Sequence, residues 1–171
     1  GAEGPKNVAL AAEIADGWLP IFYSPRISGM YNEWLDEGFA RAGARRTRET
    51  FEICATAQII GTDDRPMVME MMKPHLALYM GGMGSEDTNF HAEVYRRMGY
   101  SEVVDDVTKL FRSDRKDEAA KVIPDDLVDD SAIVGNLDYV KEQLKAWEAS
   151  GVTMMVVVAK SVEQINQLAE L

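Results

Sequence analysis

The residues that could do chemistry in this 171-residue chain are few, and their spacing narrows what they can do. Cys54 is the only cysteine, so an intramolecular disulfide is impossible, and no Cys/His spacing resembles a zinc site. A thiol nucleophile is conceivable, but Cys54 sits in an apolar, alternating segment, which reads as a packed core cysteine. His75 and His91 are the only histidines. Each falls in a helical pattern with no acid or thiol arranged near it in sequence, so neither is assigned a catalytic role. The run Gly81-Gly82-Met83-Gly84 lacks both the GxGxxG spacing and a Walker lysine, and it follows a helix rather than a strand; a flexible helix exit is expected. Gly4-Pro5-Lys6 opens a helix. Backbone N–H groups at such a start, beside the positive end of the helix dipole, suit an anion, and Lys6 would add a cation. Taken alone, the Gly-Pro pair reads as a plain helix start.

The elements that must position these residues follow a βα rhythm. Pro5 to Ala15 carries Val8, Ala11, Ala12 and Ala15 on one helical stripe. Trp18 to Tyr23 is a short apolar run read as a strand, and Ser24-Pro25 caps and opens the next helix, through Met30, Trp34, Leu35 and Phe39. Phe51 to Ile60 alternates and is rich in β-formers, ending at the turn cluster Gly61-Thr62-Asp63-Asp64. Arg65 to Met80 reads as a helix kinked or restarted at Pro74, its methionines packed in the core. Asn89 to Asp130 shows only short helical patterns and no strand, so a helical insertion is expected over residues 85–136 within one structural unit spanning 1–171. A helix from Leu137 to Glu148 closes at Gly151, and Thr153 to Ala159 reads as a parallel strand covered on both faces. Ser161-x-x-Gln164 is a capping box for the last helix. Strands joined by helical crossovers predict an α/β fold with a parallel sheet.

Composition limits the partners. Twenty-nine acidic against 18 basic residues give a formal net charge of −11, which repels phosphate backbones and anionic lipid. Nucleic acid and membrane are therefore not expected as partners. The longest strongly apolar stretch, Val152 to Ala159, is far short of the roughly 20 residues of a membrane span, and a soluble cytoplasmic protein is expected.

Several patches, taken in order, resemble one family. Gly1-Ala2-Glu3-Gly4-Pro5-Lys6-Asn7 followed by Ala11 to Trp18 is similar to the region after the fifth strand of luciferase-like oxidoreductases. Gly81-Gly82-Met83-Gly84, Asn89-Phe90, Arg97-Met98-Gly99-Tyr100, Pro124 to Asp129 and Gly151-Val152-Thr153 resemble an actinobacterial subgroup of deazaflavin (F420)-dependent oxidoreductases. This resemblance implies a (β/α)8 barrel of which the chain supplies the C-terminal portion, its sixth to eighth strands with their helices, the first five strands being absent. It implies coenzyme F420 as cofactor, with FMN-dependent monooxygenation as the alternative, and a small organic molecule as substrate. It implies cofactor contacts at Gly1, Ala2, Glu3, Gly4, Pro5, Lys6, Pro20, Ile21 and Phe22, with the cofactor phosphate at the opening turn. Phe22 and Tyr23 could instead line the substrate pocket or pack in the core. Other candidates, at strand ends, are Ile60 to Thr62 and Ala159 to Ser161. No catalytic residue is assigned, because in the family that role commonly falls to the first four strands. The isolated chain is expected to be inactive and, with sheet edges exposed, to associate with copies of itself.

Overall fold

One strand organises the sheet. In the computed structural model, which describes residues 1–85, 88–159 and 161–171, β2 (Glu52–Gly61) pairs in parallel with the other three strands. β1 (Gly17–Trp18) joins its beginning, β4 (Met154–Val157) runs beside Cys54 to Ala57, and β3 (Ala132–Gly135) runs beside Gln58 to Gly61. The parallel pairing matches the helical crossovers anticipated from sequence.

Alternation along β2 sets its two faces apart. Ile53, Ala55, Ala57 and Ile59 are buried, in one core with Val8 and Ala12 of α1 (Pro5–Ile14), Tyr31 and Leu35 of α2 (Ser28–Phe39), and Val140 and Trp147 of α8 (Leu137–Ala149). Cys54, Thr56, Gln58 and Ile60 point the other way and are partly or fully exposed. A second core forms among α3 (Arg65–Ala77), α4 (Phe90–Arg97), α5 (Ser101–Arg112), α6 (Lys116–Lys121) and α7 (Asp125–Asp129). α9 (Val162–Ala169) closes the chain, with the Ser161 hydroxyl accepting from Gln164 N at 3.1 Å.

Five expectations need correction. The strand expected over Trp18 to Tyr23 ends at Trp18. Pro20 has no N–H to continue a ladder, and Phe22 at φ 53° turns the chain away through a left-handed conformation. Asn89 to Asp130 holds helices and no strand among the described residues, but the wider range 85–136 also takes in a strand, Ala132 to Gly135. A fully buried run of four apolar residues carries no alternation by which to recognise it. β4 is covered on one face only: Met154 and Val156 are 48% and 41% exposed, while Met155 and Val157 pack on the core. The helix through Pro74 neither restarts nor stops there; it continues to Ala77 and widens into a π-helical turn, Leu78–Gly82. That turn is packed rather than loose, because a Cβ on Gly81 would stand 2.5 Å from Cβ of Phe111. Where a left-handed closure was expected, Gly151 adopts φ 92°.

Candidate functional site

Two hollows lie on either side of a cluster of rings: Phe22 and Tyr79 of that cluster line one, and His91 of the same cluster touches Glu3, which lines the other. The larger, about 520 Å³, lies between the open face of β2 and α3. Thr56, Gln58 and Ile60 form its floor, Met71, Met72 and His75 its side, and Ile21, Phe22 and Tyr79 its end. The smaller, about 350 Å³, is bounded by Gly1 to Gly4, Asn7, Phe90, Glu93 and Arg97. Between them, the Phe22 ring stands 5.0 Å from Tyr79 and 5.0 Å from Tyr95, and Tyr79 stands 5.0 Å from His91. Phe22 keeps its left-handed backbone inside this cluster. Such a conformation in a bulky residue costs on the order of 1–3 kcal/mol and persists only where surroundings over-determine it.

Buried polar atoms in and beside the ring cluster are left without a hydrogen bond among the described residues. The Tyr95 hydroxyl and Glu3 Oε2 are buried and make no hydrogen bond among the described residues. His91 Nδ1 is 3.2 Å from Glu3 Oε1, yet the ring is not aligned for a hydrogen bond, so contact is close while the donor stays unsatisfied. Burial, and then the nearby Tyr79 and Glu3, push the Tyr95 phenol well above its ordinary range, so it is a protonated hydroxyl at any physiological pH. Buried hydroxyls and carboxylates are normally bonded, and a cluster that is not indicates a place for a bound polar group.

The opening turn is built for access. Gly4 is the N-cap of α1 in an extended conformation, no side chain caps the helix, and a Cβ placed on Gly4 would meet nothing within 4 Å. The turn is fastened from both sides: Trp18 Nε1 donates to Ala2 O at 2.9 Å, and Arg97 Nη1 donates to Glu3 O at 3.3 Å. Among the described residues no carboxylate pairs with Arg97, whereas Glu93 pairs with Arg96 at 3.3 Å. In the sequence Arg97 belongs to a patch that carries the family resemblance, but it was not among the candidate site residues. It lies about ninety positions from the turn, and only the fold brings α4 there.

The predicted residues thus separate. Gly1, Ala2, Glu3 and Gly4 line the smaller hollow, and Ile21 and Phe22 the larger. Pro5 and Lys6 are exposed at the helix start outside that lining, and Pro20 is buried beneath it. Tyr23 belongs to the core, its hydroxyl donating to Ser150 O at 3.1 Å. Ile60 reaches the larger hollow, while Gly61 and Thr62 face a separate cleft beside Asn136. Within Ala159 to Ser161, Lys160 lies outside the described residues. Cys54 is half-buried on the open face rather than packed in the core. His75 and His91, set aside on sequence, both stand at the site. The methionines divide: Met69 and Met80 are buried, and Met67 and Met71 are 53% and 67% exposed.

The fold is an α/β fold with a parallel sheet, and its larger hollow lies beside the C-terminal half of β2, where ligands are commonly held in such folds. The chain belongs to the luciferase-like monooxygenase family, whose description matches residues 1–154. It is 74% identical over all 171 residues to a candidate coenzyme F420-dependent oxidoreductase of Mycobacterium tuberculosis, covering 49% of that protein. It is 30% identical over 161 residues to the 5,10-methylenetetrahydromethanopterin reductase of Archaeoglobus fulgidus, covering 91% of this chain and 46% of that one. The chain therefore spans about half the length of the curated relatives it matches. Its fold is similar to that of the F420-dependent tetrahydromethanopterin reductase from Methanopyrus kandleri, with TM-score 0.74 and 23% identity over 99% of this chain and 48% of that one. It is also similar to an F420-dependent secondary alcohol dehydrogenase solved with an F420-acetone adduct, with TM-score 0.67 and 13% identity over 98% and 45% of the two chains. No helix among the described residues is long and apolar enough to cross a membrane.

Proposed function

We propose that the chain forms part of a (β/α)8 barrel, with β1, β2 and β4 as its sixth, seventh and eighth strands, in an oxidoreductase that uses coenzyme F420. The observation that carries this reading is the pair of hollows flanking one ring cluster, one at an uncapped helix start and one walled by rings, in a chain so similar to F420-named relatives. The open face of β2 and β4, with Thr56, Gln58, Met154 and Val156 turned outward, is the face a closed barrel would turn inward.

The residues present suit the cofactor. The first-turn amides of α1 and Arg97, which has no carboxylate partner among the described residues, would hold a phosphate, and the unsatisfied Tyr95 hydroxyl and Glu3 carboxylate would receive polar groups of the bound molecule. When bound, F420 supplies hydride chemistry with a small organic molecule. The chain's own residues bind, orient and exclude water: Phe22 and Tyr79 form a rigid apolar end, and Met71 and Met72 close the side. The isolated 171-residue polypeptide is proposed to be inactive, because the open sheet face leaves the larger hollow in contact with solvent.

The test is a fluorescence titration of the full-length protein with F420 and, in parallel, with FMN. Saturable F420 binding with weak or absent FMN binding is expected. Tighter binding of FMN would overturn the cofactor assignment.

A further inference from the structure

The hollow between β2 and α3 is walled without charge. In a chain of which 27% is charged, no Asp, Glu, Lys or Arg among the described residues lines it. The charges of α3 are turned elsewhere: Lys73 is buried against Glu70 and lies 2.9 Å from Asp125, so these groups satisfy one another away from the hollow. Inside are rings and thioethers. His75 stands 4.8 Å from Tyr79, and Phe22 meets Tyr79 edge to face. Met71 is 67% exposed at the rim, and methionine side chains adapt to varied apolar shapes. The polar ends of Thr56, Gln58 and His75 make no hydrogen bond to protein among the described residues. An ionised ligand would enter this space without a counter-charge, at a large desolvation cost. A flat neutral one would meet ring faces, with a few free donors to orient it.

We infer that this hollow binds an uncharged, flat, mainly apolar molecule bearing a single hydrogen-bond acceptor, such as an aryl or cyclic ketone, with the His75 ring N–H donating to that acceptor. The inference deepens the proposed function, resting on it for the claim that the bound molecule is the substrate, and it excludes carboxylates, phosphates and amines from that role. Its volume, about 520 Å³, is that of a small-molecule site.

Three probes of matched shape test it: 2-acetylnaphthalene, 2-naphthoate and 2-naphthylmethylammonium. They are titrated into full-length protein carrying 13C-methyl methionine, with Met71 and Met72 signals assigned through Met71→Leu and Met72→Leu. The ketone is expected to shift both methyl signals and to bind at least about tenfold more tightly than either ion. His75→Ala should weaken the ketone by about fivefold while leaving 2-ethylnaphthalene, which has no acceptor, within about twofold. Met71→Lys, at an exposed position that the fold tolerates, should bring the naphthoate to parity with the ketone. Equal or tighter binding of either ion by the unaltered protein, or shifts that spare Met71 and Met72, would overturn the inference. Equal weakening of the ketone and the hydrocarbon in His75→Ala would remove His75 as the donor. F420 titration of the same samples reports separately on the cofactor, so a failure there with ketone selectivity intact would count against the proposed function alone.

Discussion

Asp130 accepts hydrogen bonds from Ser24 at 2.8 Å, from Tyr100 at 2.7 Å and from two nitrogens of Arg26 at 2.9 and 2.5 Å, and so ties the loop after β1 to the helical excursion. Burial alone would raise its pKa, but the bonds from Arg26, Tyr100 and Ser24 outweigh burial and hold it below the usual carboxylate range. A depressed carboxyl contributes stability above its unfolded value, near 4, and loses it as pH falls through the folded value. Asp130→Asn should therefore cost about 1–3 kcal/mol at neutral pH. The gap in melting temperature between it and the wild type should close as pH drops from about 5 to 3, and a gap that stays constant would show that the charge does not matter. At the opening turn, Gly4→Asp has two separable effects. Aspartate is a favoured N-cap, so thermal stability should hold or rise by a few tenths of a kcal/mol. A carboxylate where the phosphate is proposed to sit should weaken F420 binding strongly, with Lys6→Ala milder at roughly five- to tenfold. Unchanged affinity in Gly4→Asp would reduce the turn to a helix start. Such single residues were partly legible in the sequence. Gly4 and Phe22 could be flagged from local pattern and resemblance, whereas Arg97, His75 and His91 become site residues only through contacts that no local spacing encodes.

Among the elements, the helices were the most readable because their caps and stripes are local: Asp64 caps α3 through Met67 N, and Asn136 caps α8 through Tyr139 N. β2 was readable because one face is buried and its alternation survives in the sequence. β3, buried at all four positions, left no such trace. The π-helical turn was also invisible, since Gly81-Gly82 suggests looseness when read alone. Its glycines are required by the approach of α5, where the Phe111 ring would lie 2.7 Å from a Cβ on Gly82. π-turns widen a helix and often lie at functional sites; here Tyr79, within the turn, faces the larger hollow. Gly81→Ala should cost about 1–3 kcal/mol by overpacking, a loss of roughly 2–10 °C in melting temperature. A calorimetric scan showing no loss would mean that α5 can shift away freely.

At the scale of the molecule, one side of the sheet is sealed and the other is open. Met154, Val156 and Val158, at 48%, 41% and 62% exposure, form an apolar row in the strand and just beyond it. Exposed rows of this kind attract another surface. The isolated polypeptide is expected to self-associate in sedimentation velocity, and Val156→Lys should shift it toward monomer; a wild-type monomer at high concentration would refute this. The same sheet has a consequence in time. Ile53 accepts from Thr153 N at 3.0 Å, and these partners are one hundred residues apart. At a synthesis rate of about 5–20 residues per second, that edge of β2 leaves the ribosome on the order of 5–20 s before its neighbour exists. Contacts among α3 to α6 span far shorter stretches of chain, so that half can settle first. During translation, the strand that later holds the whole sheet together can pair with β1 at once, but its contact with β4 is made last, and until then that stretch most needs shelter from other nascent chains.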